Sequence, residues 1–235
     1  MIYKSVFKKF SQLEGSKHIA SEFALKGIEN LIKSGQIKTI FEFGAGIGTI
    51  PYLIASLNTK CFYTGTESNE FCIKSLNTNL EGMFESHLFK LIHECSEYDG
   101  GKVDLLIIDG KISNKSFIKE ICHDNTLIFI EGDRREQREL ISKIFPNAFI
   151  NFKLTIRKNK MYSPFYREKA NPFESGFTII RLKNNSLNMI KFYRDKIDSF
   201  ITYKLRKLIK WISKLSEQSP QSTVKRSIKT EHRRQ

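Results

Sequence analysis

The chain has 235 residues, of which 40% are hydrophobic and 27% are charged, so its composition is that of a globular domain and excludes a largely disordered chain. The formal net charge is +14, but residues 183–235 contribute +10 of it through 14 basic and 4 acidic side chains. Residues 1–182 therefore carry only +4, which argues against a protein that binds nucleic acid over its whole surface.

The cysteines and the hydropathy of the chain indicate a protein of a reducing compartment. No CxxC pair and no cysteine–histidine cluster with zinc spacing occurs among Cys61, Cys72, Cys95 and Cys122. No apolar run approaches the roughly 20 residues of a membrane span, and the first ten residues, MIYKSVFKKF, lack the apolar core of a signal peptide. We therefore expect a soluble cytoplasmic protein with buried thiols and no bound metal.

The first half of the chain predicts alternating helices and strands. Apolar residues spaced three or four apart predict a helix over residues 17–33, with Gly35 just beyond its end. A second helix is predicted over residues 49–57, and a third begins with Ser68 as its N-cap. Runs of β-branched and aromatic residues predict strands at residues 38–43, 61–67 and 87–93.

The second half continues the alternation with longer apolar runs. VDLLII (103–108) and TLIFI (126–130) are almost entirely apolar, as parallel strands are when both faces of a sheet are covered. A helix over 134–145 follows, and then two strands, at 149–157 and 177–182, with no clear helix between them. The alternation predicts an α/β fold with a parallel sheet and right-handed crossovers, and the two final strands interrupt it.

A glycine-rich loop, Glu-Phe-Gly-Ala-Gly-Ile-Gly (42–48), connects a predicted strand to a predicted helix. Gly44 permits a tight turn, while Gly46 and Gly48 allow the backbone to approach a ligand closely. The helix that follows offers unpaired N–H groups and the positive end of its dipole to a ligand. Thr49 occupies the place of the last glycine in the dinucleotide pattern GxGxxG, which disfavours NAD as the ligand.

The pattern acidic-x-Gly-x-Gly-x-Gly in this loop resembles the first motif of the class I S-adenosylmethionine-dependent methyltransferases, and the resemblance extends over residues 17–182. It implies a Rossmann-like doubly wound sheet of seven mostly parallel strands, with the two final strands as a terminal antiparallel hairpin. It also implies that S-adenosylmethionine is the cofactor and that Glu67, at the end of the second strand, accepts hydrogen bonds from the ribose hydroxyls. Glu67 alone does not distinguish the cofactors, because NAD enzymes also carry an acid there. The cofactor-binding residues that the resemblance implies are Glu42, Gly44, Ala45, Gly46, Gly48, Glu67, Ser68, Glu94, Cys95 and Asp109.

Acidic residues follow two of the central strands and are candidates for catalysis. Asp109 ends VDLLII, and Glu131 and Asp133 follow TLIFI, so all three are expected at the ligand-binding edge of the sheet. There they would orient or deprotonate a hydroxyl acceptor. Two alternatives remain open: Asp109 and Glu131 could hold a divalent metal, although Lys111 stands where a further acid is expected, and Asp133 could simply cap the next helix.

The methyl acceptor is less well defined by the sequence. The Ile-Asp-Gly strand end at 108–110 resembles small-molecule O-methyltransferases, and the Pro-Pro-aromatic box of amino-methylating DNA enzymes does not follow it. The segment 158–175 is rich in Tyr, Phe, Lys and Arg, which suits an anionic or sugar-containing substrate, although it could equally be a surface loop.

Residues 187–215 predict an amphipathic helix, because apolar residues recur every three or four positions among many lysines and arginines. Such a helix lies on an anionic membrane surface, or packs on its own domain or on a second copy of the chain. The sequence thus divides into a methyltransferase-like domain (1–183), a basic amphipathic helix (184–216) and a basic tail (217–235) expected to be disordered.

Together these features predict a methyltransferase that transfers a methyl group from S-adenosylmethionine to a hydroxyl of a small-molecule or sugar-containing substrate. Its predicted location is the cytoplasm, where the basic helix could hold it at the membrane periphery, and nucleic acid is a disfavoured partner. The alternative is a non-catalytic binding protein with the same fold, associated with an anionic membrane surface.

Overall fold

A computed structural model describes residues 1–82, 88–112, 114–159 and 172–217. Most of the predicted substrate segment, residues 160–171, and the basic tail from residue 218 onward lie outside the described residues.

A seven-stranded sheet forms the centre of the molecule. Its strands are β1 (Thr39–Phe43), β2 (Phe62–Thr66), β3 (Phe89–Ile92), β4 (Val103–Ile108), β5 (Cys122–Glu131), β6 (Phe149–Lys153) and β7 (Phe177–Arg181). The spatial order is β3-β2-β1-β4-β5-β7-β6. Strands β1 to β5 are mutually parallel, and β7 is antiparallel to both β5 and β6. The predicted Rossmann-like sheet with a terminal antiparallel hairpin is therefore confirmed.

Helices connect the strands and cover both faces of the sheet. They are α1 (Ile2–Phe10), α2 (Glu22–Lys33), α3 (Thr49–Ser56), α4 (Glu70–Asn79), α5 (Lys115–Ile121), α6 (Arg135–Ile144) and α7 (Ser186–Glu217). Side chains alternate along the strands, so that Leu105 and Ile107 of β4 pack in the core beneath α1, α2 and α3. Their neighbours Leu106 and Ile108 pack in a second core with residues of α5 and α6.

The amino-terminal part of the chain differs from the prediction. The helix expected over 17–33 begins only at Glu22, because the Ser21 hydroxyl caps it by accepting the Ala24 N–H at 3.2 Å. Residues 16–18 form a short 3-10 helix instead. Helix α1 is an addition to the predicted elements, although its buried Tyr3, Val6 and Phe10 follow helical spacing. The short 3-10 helix matters because Lys17 and His18 lie beside the carboxyl ends of the strands.

The carboxyl-terminal helix α7 is continuous over 32 residues and packs along the edge strand β6. The buried Asp195 carboxylate forms ion pairs with Lys153 at 2.7 Å and with Arg181 at 2.9 Å. These pairs attach the amino-terminal half of α7 to the hairpin of β6 and β7. None of the helices within the described part of the chain is long and apolar enough to cross a membrane.

Candidate active site at the carboxyl ends of the parallel strands

A cavity of about 650 Å³ opens at the carboxyl ends of the adjacent strands β1 and β4, from which the chain continues into opposite halves of the sheet. This point is the topological switch of a doubly wound sheet, where such folds bind ligands. The cavity is lined by the ends of four neighbouring strands, through Gly44, Glu67, Asp109 and Glu131. Its volume falls within the range of small-molecule and cofactor sites.

The glycine-rich loop is held in a conformation that only glycine adopts readily. Gly44, Gly46 and Gly48 have φ angles of +82°, +56° and +94°. A Cβ on Gly44 would lie 2.5 Å from the Cα of Gly110, and one on Gly46 would lie 2.6 Å from the carbonyl oxygen of His18. The glycines therefore let the β1 end pack directly on the β4 end and on the segment that precedes α2.

Glu67 joins the glycine loop to the end of β2. Its Oε2 atom accepts the Gly46 N–H at 2.8 Å, and its Oε1 atom accepts the N–H groups of Ser68 and Asn69 at 2.9 and 2.8 Å. A carboxylate has about four lone-pair sites, so Oε2 retains one for a ligand hydroxyl. The sequence predicts Ser68 as the N-cap of α4, and this prediction is wrong. The N-cap is Asn69, because its side chain accepts the Cys72 N–H at 3.0 Å.

Glu42 lies fully buried beneath the loop and does not line the cavity. Its Oε2 atom accepts a hydrogen bond of 2.5 Å from the Tyr63 hydroxyl, whereas Oε1 has no partner among the described residues. Burial, and then the charges of Asp109 and Glu67, raise the pKa of Glu42 well above its usual range, against the lowering effect of the Tyr63 hydrogen bond. An orphaned carboxyl oxygen this close to the loop is suited to a polar ligand group or a bound water.

Asp109 and Glu131 form an acidic pair on the opposite wall of the cavity. The Asp109 side chain is only 16% exposed and forms an ion pair with Arg134 at 2.8 Å. Burial and the Glu131 charge raise the pKa of Asp109 to about 7, although Arg134 opposes the shift. Burial also raises the pKa of Glu131, whose Oε1 accepts the Ser21 N–H at 3.2 Å. The pair therefore changes charge more readily near neutral pH than ordinary carboxylates do.

Arg134 fixes the geometry of this wall. It donates from Nε to the carbonyl oxygen of Glu131 at 3.0 Å and from its guanidinium to the backbone carbonyl of Asp109. One cation thus bridges the ends of β4 and β5 and partly neutralises the acidic pair. Within the described ranges, no three histidine, cysteine or acidic side chains are grouped as metal ligands would be.

The structure brings together six of the residues predicted from the sequence. The cavity is lined by Gly44, Gly46, Glu67, Ser68, Asp109 and Glu131. The other predicted residues lie outside its lining. Ala45 is buried and donates its N–H to the Thr66 carbonyl, and Gly48 is the left-handed N-cap of α3.

Glu94 and Cys95, which follow β3, and Asp133, which follows β5, also lie outside the lining. Glu94 caps the short 3-10 helix Cys95–Glu97, in which Cys95 is buried. His93, one residue earlier, lines the cavity instead. Asp133 is largely exposed and forms an ion pair with Arg138 at 2.7 Å. The sequence thus locates the strand ends, while the orientation of the residues that follow them is not evident from it.

Several cavity residues have no signal in the sequence. Lys17 and His18 line the cavity although they precede α2 by several residues. Arg134 and Lys111 are recognisable as charges near strand ends, but no motif assigns them to the site. The exposed turn that carries Lys17 and His18 has no motif, and only the packing of His18 on Gly46 brings it to the loop.

A second, smaller cavity of about 290 Å³ adjoins the first and shares Lys17, Ile19 and Glu131 with it. Its walls come from the segment between α1 and α2 and from residues that flank 160–171. Most of the additional lining residues are of polar types, and they include Ser11, Ser16, Ser21, Asn159, Glu174 and Ser175. Glu131 therefore stands at the junction of two connected spaces.

The sheet order, the glycine loop at the switch point and the acid after β2 define the class I methyltransferase fold, and solved structures confirm it. No protein-family model and no curated protein matches the chain. Among solved structures, it is similar to an O-methyltransferase from Bacillus cereus in complex with S-adenosylhomocysteine, with a TM-score of 0.57 and 14% identity over 77% of this chain and 90% of that one.

Two further structures extend the comparison. An O-methyltransferase from Streptomyces achromogenes involved in tomaymycin synthesis, in complex with S-adenosylmethionine, has a TM-score of 0.55 and 11% identity over 78% of this chain and 90% of that one. A precorrin-6y C5,15-methyltransferase from Geobacter metallireducens has a TM-score of 0.54 and 14% identity over 72% and 92%. At such identities the likeness establishes the fold, and substrate and activity must be argued from the site.

Proposed function

We propose that the protein binds S-adenosylmethionine in the larger cavity and transfers its methyl group to a hydroxyl of a small-molecule or sugar-containing substrate. The observation that carries this proposal is the convergence of Glu67 and the glycine loop on the same cavity as the acidic pair Asp109 and Glu131. The glycine loop and Glu67 form the part of the larger cavity that binds the cofactor, and the acidic pair forms the part next to the second cavity.

The residues present fit this cofactor. Glu67 lines the cavity and keeps an Oε2 lone pair for a ribose hydroxyl. Glu67, Asp109 and Glu131 line the cavity, and in their ionised forms they attract a ligand that carries a sulfonium and an ammonium group. S-adenosylmethionine supplies an electrophilic methyl group, so the protein has mainly to position the acceptor against it.

Glu131 is the residue best placed to act on the acceptor. It lines both cavities, and its raised pKa makes it a better proton acceptor than an ordinary carboxylate. We assign it the role of general base or orienting acceptor for a substrate hydroxyl. Asp109, held by Arg134, belongs to the cofactor side, and the exposed Asp133 has no part in the proposed mechanism.

The second cavity supports a polyhydroxylated acceptor. Hydroxyl groups of Ser11, Ser16 and Ser175 donate and accept hydrogen bonds, and Asn159 contributes an amide in the same space. A sugar ring presents the complementary set of donors and acceptors. The cytoplasm remains the proposed location, in keeping with four buried cysteines that carry no disulfide.

Calorimetry with S-adenosylmethionine and S-adenosylhomocysteine tests the cofactor assignment. Both ligands should bind the unmodified protein, and Glu67→Gln should weaken both by about 10- to 100-fold, the effect of losing hydrogen bonds to a charged group. Glu70→Gln is the matched control, because Glu70 is an exposed residue of the same segment that does not line the cavity. Folded protein that binds neither ligand would overturn the proposal.

The substitution Glu131→Gln tests the acceptor side. The amide that replaces the carboxylate retains an oxygen for the Ser21 N–H, so α2 should stay in place and cofactor affinity should change by less than about threefold. Transfer of a labelled methyl group to sugar-containing acceptors should fall by about 10²- to 10⁴-fold, the usual contribution of a general base. Glu136→Gln, an exposed change on α6, should leave transfer unaltered.

Two results would argue against this assignment of Glu131. Full transfer by Glu131→Gln would exclude it as the base. Cofactor binding by the unmodified protein without transfer to any hydroxyl compound would favour the alternative, a binding protein that keeps the cofactor site but does not turn over.

A further inference from the structure

Helix α7 contacts the domain through one narrow face. Besides the Asp195 ion pairs, the Ser199 hydroxyl donates to the Phe152 carbonyl at 2.8 Å. Arg206 donates to the carbonyl oxygens of Thr155 at 2.6 Å and Glu174 at 2.9 Å. Successive residues of an α-helix are about 100° apart, so Asp195, Ser199 and Arg206 lie within one stripe that faces the domain.

The opposite face of α7 is an exposed apolar stripe. The exposed fraction is 63% for Ile190, 59% for Ile197 and 59% for Trp211. The stripe as a whole consists of Ile190, Tyr193, Ile197, Ile201, Leu208, Trp211, Ile212 and Leu215, all between 47% and 63% exposed. A contiguous apolar surface of this length is a site of interaction with another apolar phase rather than a feature of a solvated monomer.

Cations accompany this apolar stripe, and acids are confined to the domain side or to the end of the helix. Between residues 186 and 217 the chain has eight basic residues and three acidic ones. Asp195 is buried in its ion pairs, Asp198 lies 3.6 Å from the Lys153 ammonium, and Glu217 is the last residue of the helix. The lysines on or beside the stripe are Lys196, Lys204, Lys207 and Lys214. The outward face of α7 is therefore apolar and cationic.

This charge distribution distinguishes between two occupants. A second copy of the chain packed on the stripe would bring its own lysines against Lys204 and Lys207 without acids to pair with them, which is unfavourable. An anionic lipid surface supplies the missing negative charge to each lysine or arginine near it. Trp211 and Tyr193 are side chains that favour the boundary between lipid and water.

We propose that α7 lies on the surface of an anionic lipid bilayer, with its apolar stripe inserted at the headgroup boundary and its lysines against acidic lipids. Residues 218–235 extend the positive charge, with five basic residues and one acidic residue. An exposed helix with one apolar face and accompanying cations is the form that interfacial helices take. The inference concerns a surface separate from the cofactor cavity and does not depend on the proposed enzymatic function.

Flotation of the full-length chain with lipid vesicles tests this proposal. The protein should float with vesicles of phosphatidylcholine and phosphatidylglycerol and much less with phosphatidylcholine alone, and about 0.5 M salt should reduce binding to the anionic vesicles. Ile201→Asp/Trp211→Asp and Lys207→Glu/Lys214→Glu should each lower the ratio of bound to unbound protein by at least about tenfold. Lys115→Glu/Lys119→Glu, an equal charge change on exposed positions of α5, should have little effect.

Each contrary result overturns the proposal and indicates its replacement. No flotation with anionic vesicles, together with a dimer in sedimentation that Ile201→Asp/Trp211→Asp dissociates, would identify the stripe as a self-association surface. Equal flotation with neutral vesicles would remove the role of the lysines. Loss of vesicle binding in the Lys115→Glu/Lys119→Glu control would show a general charge effect. Unchanged melting temperatures of all three variants would confirm that the exposed substitutions leave the fold intact.

Discussion

Affinity for S-adenosylmethionine should increase about 20-fold between pH 5.5 and pH 7.5, because a group with a pKa near 7 must lose its proton as the cationic ligand binds. In the ligand-free protein Asp109 is protonated below that pH, since burial raises its pKa to about 7. A sulfonium in the same cavity favours the ionised carboxylate. Binding should therefore release close to one proton at pH 6, measurable by calorimetry in buffers of different ionisation enthalpy.

S-adenosylhomocysteine is the matched ligand for this prediction, because it has the same amino acid and nucleoside parts but no sulfonium charge. Its affinity should depend only weakly on pH, and Asp109→Asn should make the affinity for S-adenosylmethionine equally insensitive. If both ligands changed in parallel over this range, the titrating group would not be one that senses the sulfonium.

The same linkage predicts the pH dependence of stability without ligand. The folded pKa of Asp109 lies above its value in the unfolded chain, near 3.9. The contribution of Asp109 to the free energy of unfolding should then be most favourable at acidic pH, and it should decrease as the pH rises toward 7. Asp109→Asn should remove that part of the decrease in urea titrations.

The substitution Gly44→Ala should reduce the free energy of unfolding by about 2–5 kcal/mol and abolish cofactor binding. Alanine at φ +82° costs about 1–2 kcal/mol in the left-handed region. Its Cβ would also lie 2.5 Å from the Cα of Gly110, and such overpacking adds about 1–3 kcal/mol. Because the contact is between two backbones, no side chain can rotate to relieve it.

Gly35→Ala separates these two contributions. Gly35 has a φ of +76°, close to that of Gly44, but a Cβ there would meet no atom within 4 Å. Only the conformational cost, about 1–2 kcal/mol, should appear in its urea titration. Equal destabilisation by the two substitutions would show that the contact between the ends of β1 and β4 is not tight.

The fold was predictable because its strongest signals are local. VDLLII and TLIFI are continuous apolar runs that only a sheet covered on both faces accommodates, and the glycine loop marks the first crossover. Helix α5 is absent from the prediction because it has only seven residues and continues directly into β5 at Cys122. Its Phe117, Ile118 and Ile121 do repeat at helical spacing, but over too short a window to be distinctive.

The candidate site was predictable only where a strand end determines the position of a residue. Glu131 ends a strand and Glu67 and Asp109 each directly follow one, and parallel topology brings those strand ends to one edge. The ion pair between Asp109 and Arg134 joins positions 25 residues apart and depends on how α6 begins. Asp133 and Arg134 are adjacent in sequence, yet only Arg134 lines the cavity, because the turn after β5 directs them differently.

The two cavities are built from parts of the chain under different constraints. At the larger cavity, the backbones of Gly44 and Gly110 pack directly on each other and fix the ends of β1 and β4. The smaller one is walled by connecting segments such as residues 11–21, which carry no strand and tolerate exchange. Under the proposed function, acceptor specificity can be altered through Ser11 and Ser16, which line only the smaller cavity, whereas a change at Lys17 would alter both cavities.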